Sequence, residues 1–279
     1  MQTGQYITNI GKMSSRFEKE REFWKNKLQG DIIMGSLPML RTEGFSSEYK
    51  IETHKYIFSD DIYNKVSRIS NGSEAGAYII FLASVMFLLS SYGGNSRVTV
   101  GMPLLKQDSE AQGLSKLLLI DNTIKEDDNF KKLLYKLKKE ISEADRHQNI
   151  PFSFIAEIIG SSEVSYSIVK TIVAMENVHE PVDLNDTESD LLIRFGMREG
   201  RAGINVAYNP NVYASDTVSR VVKHIENILE AFFAAPDKKL VEIEYLGEDE
   251  RQQLIAGFNT SMKEYPKCDT LHGLFENQC

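Results

Sequence analysis

Ala77-Tyr-Ile-Ile-Phe-Leu-Ala-Ser-Val-Met-Phe-Leu-Leu89 is the stretch that decides how the rest of the chain must be arranged. It carries no charge, and it falls short of the ~20 apolar residues that a membrane span needs. Ser73 and Glu74 before it supply a helix start, and Gly93-Gly94 after it supply a stop. A helix that is apolar on every side has to be covered on every side. The segment therefore reads as a buried core helix, with no membrane partner, around which the other elements pack.

Working outward, Tyr49-Lys-Ile-Glu-Thr-His-Lys-Tyr-Ile-Phe58 alternates as a strand does. Asp60 and Asp61 follow as N-caps of a helix with Ile62, Val66 and Ile69 on one face. Further back, Ser15-Arg-Phe-Glu18 has capping-box spacing, and Phe17, Trp24 and Leu28 recur at helical intervals up to Gly30. A turn-rich passage around Leu37-Pro38 and Gly44 separates that helix from the strand. Downstream, Val98-Thr-Val-Gly-Met-Pro103 is a short strand, and a soft segment leads to the apolar run Leu117 to Ile120. Asp127-Asp128 open a long amphipathic helix whose stripe is Phe130, Leu133, Leu134, Leu137 and Ile141. Its Lys131, Lys132, Lys136, Lys138 and Lys139 form a solvated face.

Pro151 to Ile159 predicts a short helix, and Ser167 to Met175 a buried strand. Leu191 to Met197 and Ile204 to Tyr208 form a hairpin turning near Glu199-Gly200. Val218, Val221, Ile225, Leu229 and Phe232 line a long helix that ends before Pro236. Leu240 to Tyr245 reads as a last strand, with a short helix from Glu248. Helices and strands alternate without a repeat, which predicts an α/β sandwich.

With 279 residues, 42% hydrophobic and 26% charged, the composition is that of an ordinary globular chain. A net charge of -8 opposes nucleic-acid binding, which needs a dense basic face. Cys268 and Cys279 are the only cysteines, so no disulfide framework or cysteine metal site is expected, and a cytoplasmic setting fits. Met1 to Ser14 has no basic start followed by an apolar run, as an export signal would. His54, His147, His179, His224 and His272 are never adjacent or four apart, which gives no helical metal pair. Gly93-Gly94 lacks a following GK[ST], and no G-x-S-x-G elbow occurs. Asp183, Asp186, Glu188 and Asp190 form an acidic loop without calcium-loop spacing or its glycine.

Four ordered segments carry a resemblance. Glu22-Phe-Trp-Lys-Asn-Lys-Leu-Gln-Gly30 is similar to the "YWkeqLaG" helix of nonribosomal peptide synthetase condensation domains. His147-Gln-Asn-Ile-Pro-Phe152 resembles their "HQdyPFe" motif, and Ile172-Val-Ala-Met-Glu-Asn-Val178 the strand ending in "lqNv". Ala207-Tyr-Asn209, Val212-Tyr213 and the helix from Ser215 to Ala234 resemble "leYntdlFd…erLleal". At the far end, Leu246-Gly-Glu-Asp-Glu-Arg-Gln-Gln-Leu254, Phe258-Asn-Thr260, Tyr265-Pro266 and Thr270-Leu-His-Gly-Leu-Phe-Glu-Asn-Gln278 resemble the linker and opening of an adenylation domain.

The resemblance implies a chloramphenicol-acetyltransferase-like lobe, a mixed sheet with packed helices and one lobe of the usual two. It places a partial condensation domain, the C-terminal lobe, over 1–245 and the linker and beginning of an adenylation domain over 246–279. The whole would be a fragment of a longer synthetase. The family joins a donor thioester to an acceptor amine, each on a phosphopantetheine arm of a carrier domain, using HHxxxDG in the first lobe. That motif is absent here, and the "GxFvNT" motif is half kept: Asn122 and Thr123 follow Ile120 and Asp121 in place of Phe and Val. Lys106 to Gly113 also lacks the family's "aGR".

By the same resemblance, His147, with Gln148, supports a helix-to-loop turn; base chemistry is the alternative, since imidazole titrates near neutrality. Pro151 and Phe152 fix that turn, Asn122, Thr123 and Asn177 brace the cleft, and Trp24 anchors packing. The expected function is an inert, architectural half domain beside its adenylation domain. The alternatives are a docking or weakly homodimerising module that receives an upstream synthetase or partner chain, and an active acyltransferase using His147. A catalytic centre shared between lobes loses orientation when one is missing.

Overall fold

The helices of the computed structural model are α1 (Glu18–Lys27), α2 (Asp60–Ile69), α3 (Glu74–Gly93), α4 (Phe130–Arg146), α5 (Phe152–Ile158), α6 (Leu184–Thr187), α7 (Ser215–Ala234) and α8 (Glu248–Gln252). The strands are β1 (Glu52–Ile57), β2 (Arg97–Pro103), β3 (Leu117–Thr123), β4 (Thr171–Met175), β5 (Leu191–Arg198) and β6 (Arg201–Tyr208). These come from the residues the structure describes: 17–39, 49–106, 114–161, 165–253 and 255. Ser15, Gly44, most of the soft loop before Leu114, and the stretch from Phe258 to Cys279 lie outside them. The chain divides into two units, residues 1–245 and 246–279; the first holds the sheet, and α8 belongs to the second.

Six strands form one mixed sheet in the order β1-β6-β5-β4-β2-β3. β4 runs parallel to β5 and β2, and the outer pairs are antiparallel. β5 and β6 are joined by Glu199 (φ 50°) and Gly200 (φ 77°). Positive φ at both positions is the two-residue hairpin turn that matches strand twist. Where β2 crosses β4, Gly101 lies opposite Ile172, and a Cβ there would come within 2.6 Å of Val169 Cγ1. Beyond that crossing, Thr99 instead exchanges backbone hydrogen bonds with Ile33 and Gly35, each 2.8 Å.

Helix α3 packs on one face of the sheet, flanked by α2, α4 and α7. Ser73 Oγ accepts from Gly76 N at its start, and Gly94 (φ 63°) ends it in the left-handed conformation. From Ala77 to Leu89 every residue except Ile79 is buried. Phe81 stacks on Phe195 of β5 at 4.5 Å, and the polar groups of Tyr78 and Ser84 donate to Val173 O and Phe81 O. By length and composition α3 could cross a membrane, but the protein itself covers it.

Several local expectations are corrected. Ser59, not Asp60 or Asp61, caps α2, because its extended backbone lets its hydroxyl reach Ile62 N. Ile69 sits on the rim of α2, 44% exposed. Asn129 caps α4 through Lys132 N, and Asp128 turns back to accept from Lys125 N. Only Thr171 to Met175 of the expected strand from Ser167 is extended, since Tyr166–Ile168 form a turn of 3-10 helix. Leu240 to Tyr245 is not a strand. Leu240–Glu242 is 3-10 helix that buries Leu240 and Ile243, three residues apart.

Candidate functional site

The segment His147 to Phe152 forms a bracket. His147 closes α4, its ring lies against Phe23 of α1 at 3.9 Å and 13° from parallel, and its carbonyl accepts from Trp24 Nε1 at 2.9 Å. Trp24 is fully buried. His147 Nδ1 is buried with no hydrogen-bond partner, so no carboxylate holds the ring through that nitrogen. Gln148 Nε2 donates to Asp145 Oδ1 at 3.1 Å. Pro151 starts α5, and Phe152 packs on the Tyr166 ring at 4.3 Å; Tyr166 Oη in turn accepts from Lys116 N at 2.8 Å.

Asn122 and Thr123 end β3 at the edge where β2 begins. Asn122 is buried with its Oδ1 unpartnered, and Thr123 O accepts from Lys136 Nζ at 3.1 Å. Asp121 beside them accepts from Arg97 Nε and Nη2 at 3.0 and 2.8 Å and from Thr99 Oγ1 at 2.7 Å. Arg97 Nη1 also donates to Gln29 O at 2.7 Å, which ties the chain leaving α1 onto the sheet. Asn177 (φ 66°) follows the end of β4 and donates to Glu74 Oε1 at 3.2 Å. Because β2 is antiparallel to β3 and parallel to β4, Asn122 and Asn177 sit at opposite ends of the sheet and do not converge.

What the fold does bring together lies at the end of β4. A cleft of about 470 Å³ is lined by the cations Lys106, Arg194 and Arg198, by Asn177 and His179, and by the acids Glu176, Glu180, Asp183 and Asp186. Arg198 pairs with Glu176 at 2.9 Å, and Arg194 Nη2 donates to Val182 O at 2.7 Å. His179, 4% exposed, accepts from Met175 N on Nδ1 at 3.0 Å and packs edge-on to Tyr78 at 4.3 Å. Burial pushes its imidazole down to about 4. It is therefore neutral near pH 7, and its Nε2 is buried without a hydrogen-bond partner. The sequence gives no spacing signal for this histidine.

Such a cleft can hold an ionic group by charge and hydrogen bonds. It contains no nucleophile paired with an accessible base, and among the described residues no group of three or more His, Cys, Asp or Glu could hold a metal ion.

The condensation-domain family model matches residues 4–255. Surfactin synthase subunit 1 of Bacillus subtilis (strain 168) is 24% identical over 289 residues, covering 94% of this chain and 8% of that protein. Gramicidin S synthase 2 of Brevibacillus brevis is 22% identical over 290 residues, covering 95% and 6%. The chain thus spans less than a tenth of the length of these two relatives. Among solved structures, the teicoplanin X-domain in complex with OxyB superposes with a TM-score of 0.71 at 16% identity, over 88% of this chain and 59% of that one. The four-domain synthetase holo-AB3403 superposes with a TM-score of 0.69 at 14% identity, over 82% and 20%. The mixed sheet with packed helices is the chloramphenicol-acetyltransferase-like lobe those structures share, and on the match across most of its length the chain belongs to the condensation-domain family.

Proposed function

We propose that this chain is the C-terminal lobe of a nonribosomal peptide synthetase condensation domain that forms no amide by itself. Residues from 246 onward lead into an adenylation domain, and the lobe is the platform on which that domain rests. The observation that carries this reading is the commitment of His147: its ring is stacked on Phe23 and its carbonyl holds Trp24. The 279 residues also contain no His-His-x-x-x-Asp-Gly. Any condensation at this lobe takes its base from elsewhere, acting on substrates carried by phosphopantetheine on carrier domains, in the cytoplasm.

Fusing an adenylation domain after residue 279 tests the platform. The fused domain should unfold at a higher temperature, and exchange pyrophosphate for longer on warming, than the same domain alone. Equal unfolding temperatures and equal inactivation rates would refute the platform role.

A second reading, weak self-association, is favoured by one feature. Ile69 and Tyr135, 44% and 72% exposed, share a groove of about 450 Å³ with Ala75, Ile79 and Leu134. Sedimentation that stays monomeric at every concentration removes it.

A further inference from the structure

The helices cover one face of the sheet from edge to edge, but among the described residues no helix or strand lies over the opposite face of β1, β6 and β5. The alternation along each strand defines it. Ala202, Ile204, Val206 and Tyr208 of β6 are buried, as are Ile193 and Phe195 of β5. Arg194, Gly196 and Arg198 of β5, with Gly203 and Asn205 of β6, therefore point the other way. A trough of about 300 Å³ lies there.

Register gives the trough its shape. Gly196 and Gly203 are cross-strand partners, with the exposed side chain of Ile57 of β1 next in the row; the Glu176 side chain lies over Gly196, and the backbone is bare at Gly203. One flanking row is Lys55, Asn205 and Arg194; the other is Arg201 opposite Arg198. Glu176 is the acid among the lining residues, and it is matched by Arg198. Lys55 and Arg201 are exposed, with no charge partner among the described residues. The basic character stops at β4, where the neighbouring cleft carries Glu180, Asp183 and Asp186.

We infer that this open face of β1, β6 and β5 is a docking surface for an acidic polypeptide segment. Arg194 and Arg198 are four residues apart on a strand, so their Cα atoms stand about 13 Å apart. One phosphate cannot be clasped from both rows at that separation, whereas carboxylates spaced along a chain can meet each row, with the backbone passing over Gly203. The chain's net charge of -8 would repel an acidic partner at a distance. Screening over roughly 8 Å at physiological ionic strength leaves the local rows to decide contact.

The test uses the full chain and a fluorescein-labelled peptide of about ten residues alternating Glu and Ser, a length that spans both rows. A matched peptide with Gln in place of Glu is the neutral control. Anisotropy should report binding of the Glu peptide that weakens with salt, and little binding of the Gln peptide. Lys55→Glu with Arg201→Glu should weaken binding about tenfold at an unchanged unfolding temperature. Lys138→Glu, on the opposite side of the sheet, should not change it. Equal binding of both peptides, binding indifferent to the double reversal, or no binding at low salt overturns the inference. Displacement of the peptide by inorganic phosphate at matched ionic strength would also overturn it, by making the trough a small-anion site.

Discussion

The imidazole of His147 lies face to face with the Phe23 ring, 3.9 Å between centroids, so the residue that caps the end of one helix grips the middle of another 124 positions earlier in the chain. This contact, with the Trp24 bond to the His147 carbonyl, holds α1 against the bracket that begins α5. His147→Ala should lower stability by about 1–2 kcal/mol through the lost ring contact. His147→Phe should recover most of it. Chemical denaturation of both variants checks this; an unchanged midpoint in His147→Ala would show that the stack holds nothing.

Asp121 is where the family resemblance leads one to expect Val, and the structure supplies its reason: it is the acceptor for Arg97 and Thr99. Asp121→Val leaves Arg97, with a side chain 21% exposed, without its carboxylate and should cost about 2–3 kcal/mol. Adding Arg97→Met should restore part of that loss. A denaturation cycle over the two positions measures the coupling, and additivity would mean the pair is not a unit.

Gly101→Ala should be among the costlier small changes in the chain. The new methyl would meet Val169 Cγ1 at 2.6 Å and Ile172 Cγ1 at 3.3 Å, in the crossing of β2 and β4. Overpacking of this kind costs about 1–3 kcal/mol. Thermal unfolding should show the drop, whereas Gly200→Asn in the hairpin turn, where nothing crowds the Cβ position, should be far milder.

The elements read correctly from the sequence are those whose ends are set locally. Ser73 and Gly94 bound α3, and Glu199-Gly200 turns the hairpin, because caps and positive φ depend on neighbours in the chain. Leu240 to Tyr245 misled because Leu240 and Ile243 also satisfy a strand's appetite for apolar residues. Only their burial, three residues apart beside Asp128 O, makes the segment 3-10 helix. α6 is a single turn capped by Asp183, too short to leave a periodic pattern. At the candidate site, Asp121 makes sense only once the register sets Thr99 opposite it. His179 titrates low because it is buried, with the Tyr78 ring packed edge-on against it.

That burial gives stability a pH dependence. His179 titrates at about 4 in the folded protein against 6.5 unfolded. Between those values the unfolded chain binds a proton that the native chain does not. Stability should therefore fall as pH drops from 6.5 toward 4, by about 3 kcal/mol at most, with no contribution above that window. His179→Asn keeps an acceptor for Met175 N and removes the titration. Its unfolding midpoint should vary less with pH than the parent's; identical slopes would place the dependence elsewhere.

The central claim is that these residues hold no amide-forming centre, and thioester aminolysis measures it directly. The purified chain, given an acyl-thioester donor and an aminoacyl-thioester acceptor on phosphopantetheine carriers, should form amide no faster than the carriers alone. Turnover above that background, lost in a His147→Ala variant that circular dichroism shows to be folded, would contradict the account and make His147 a base.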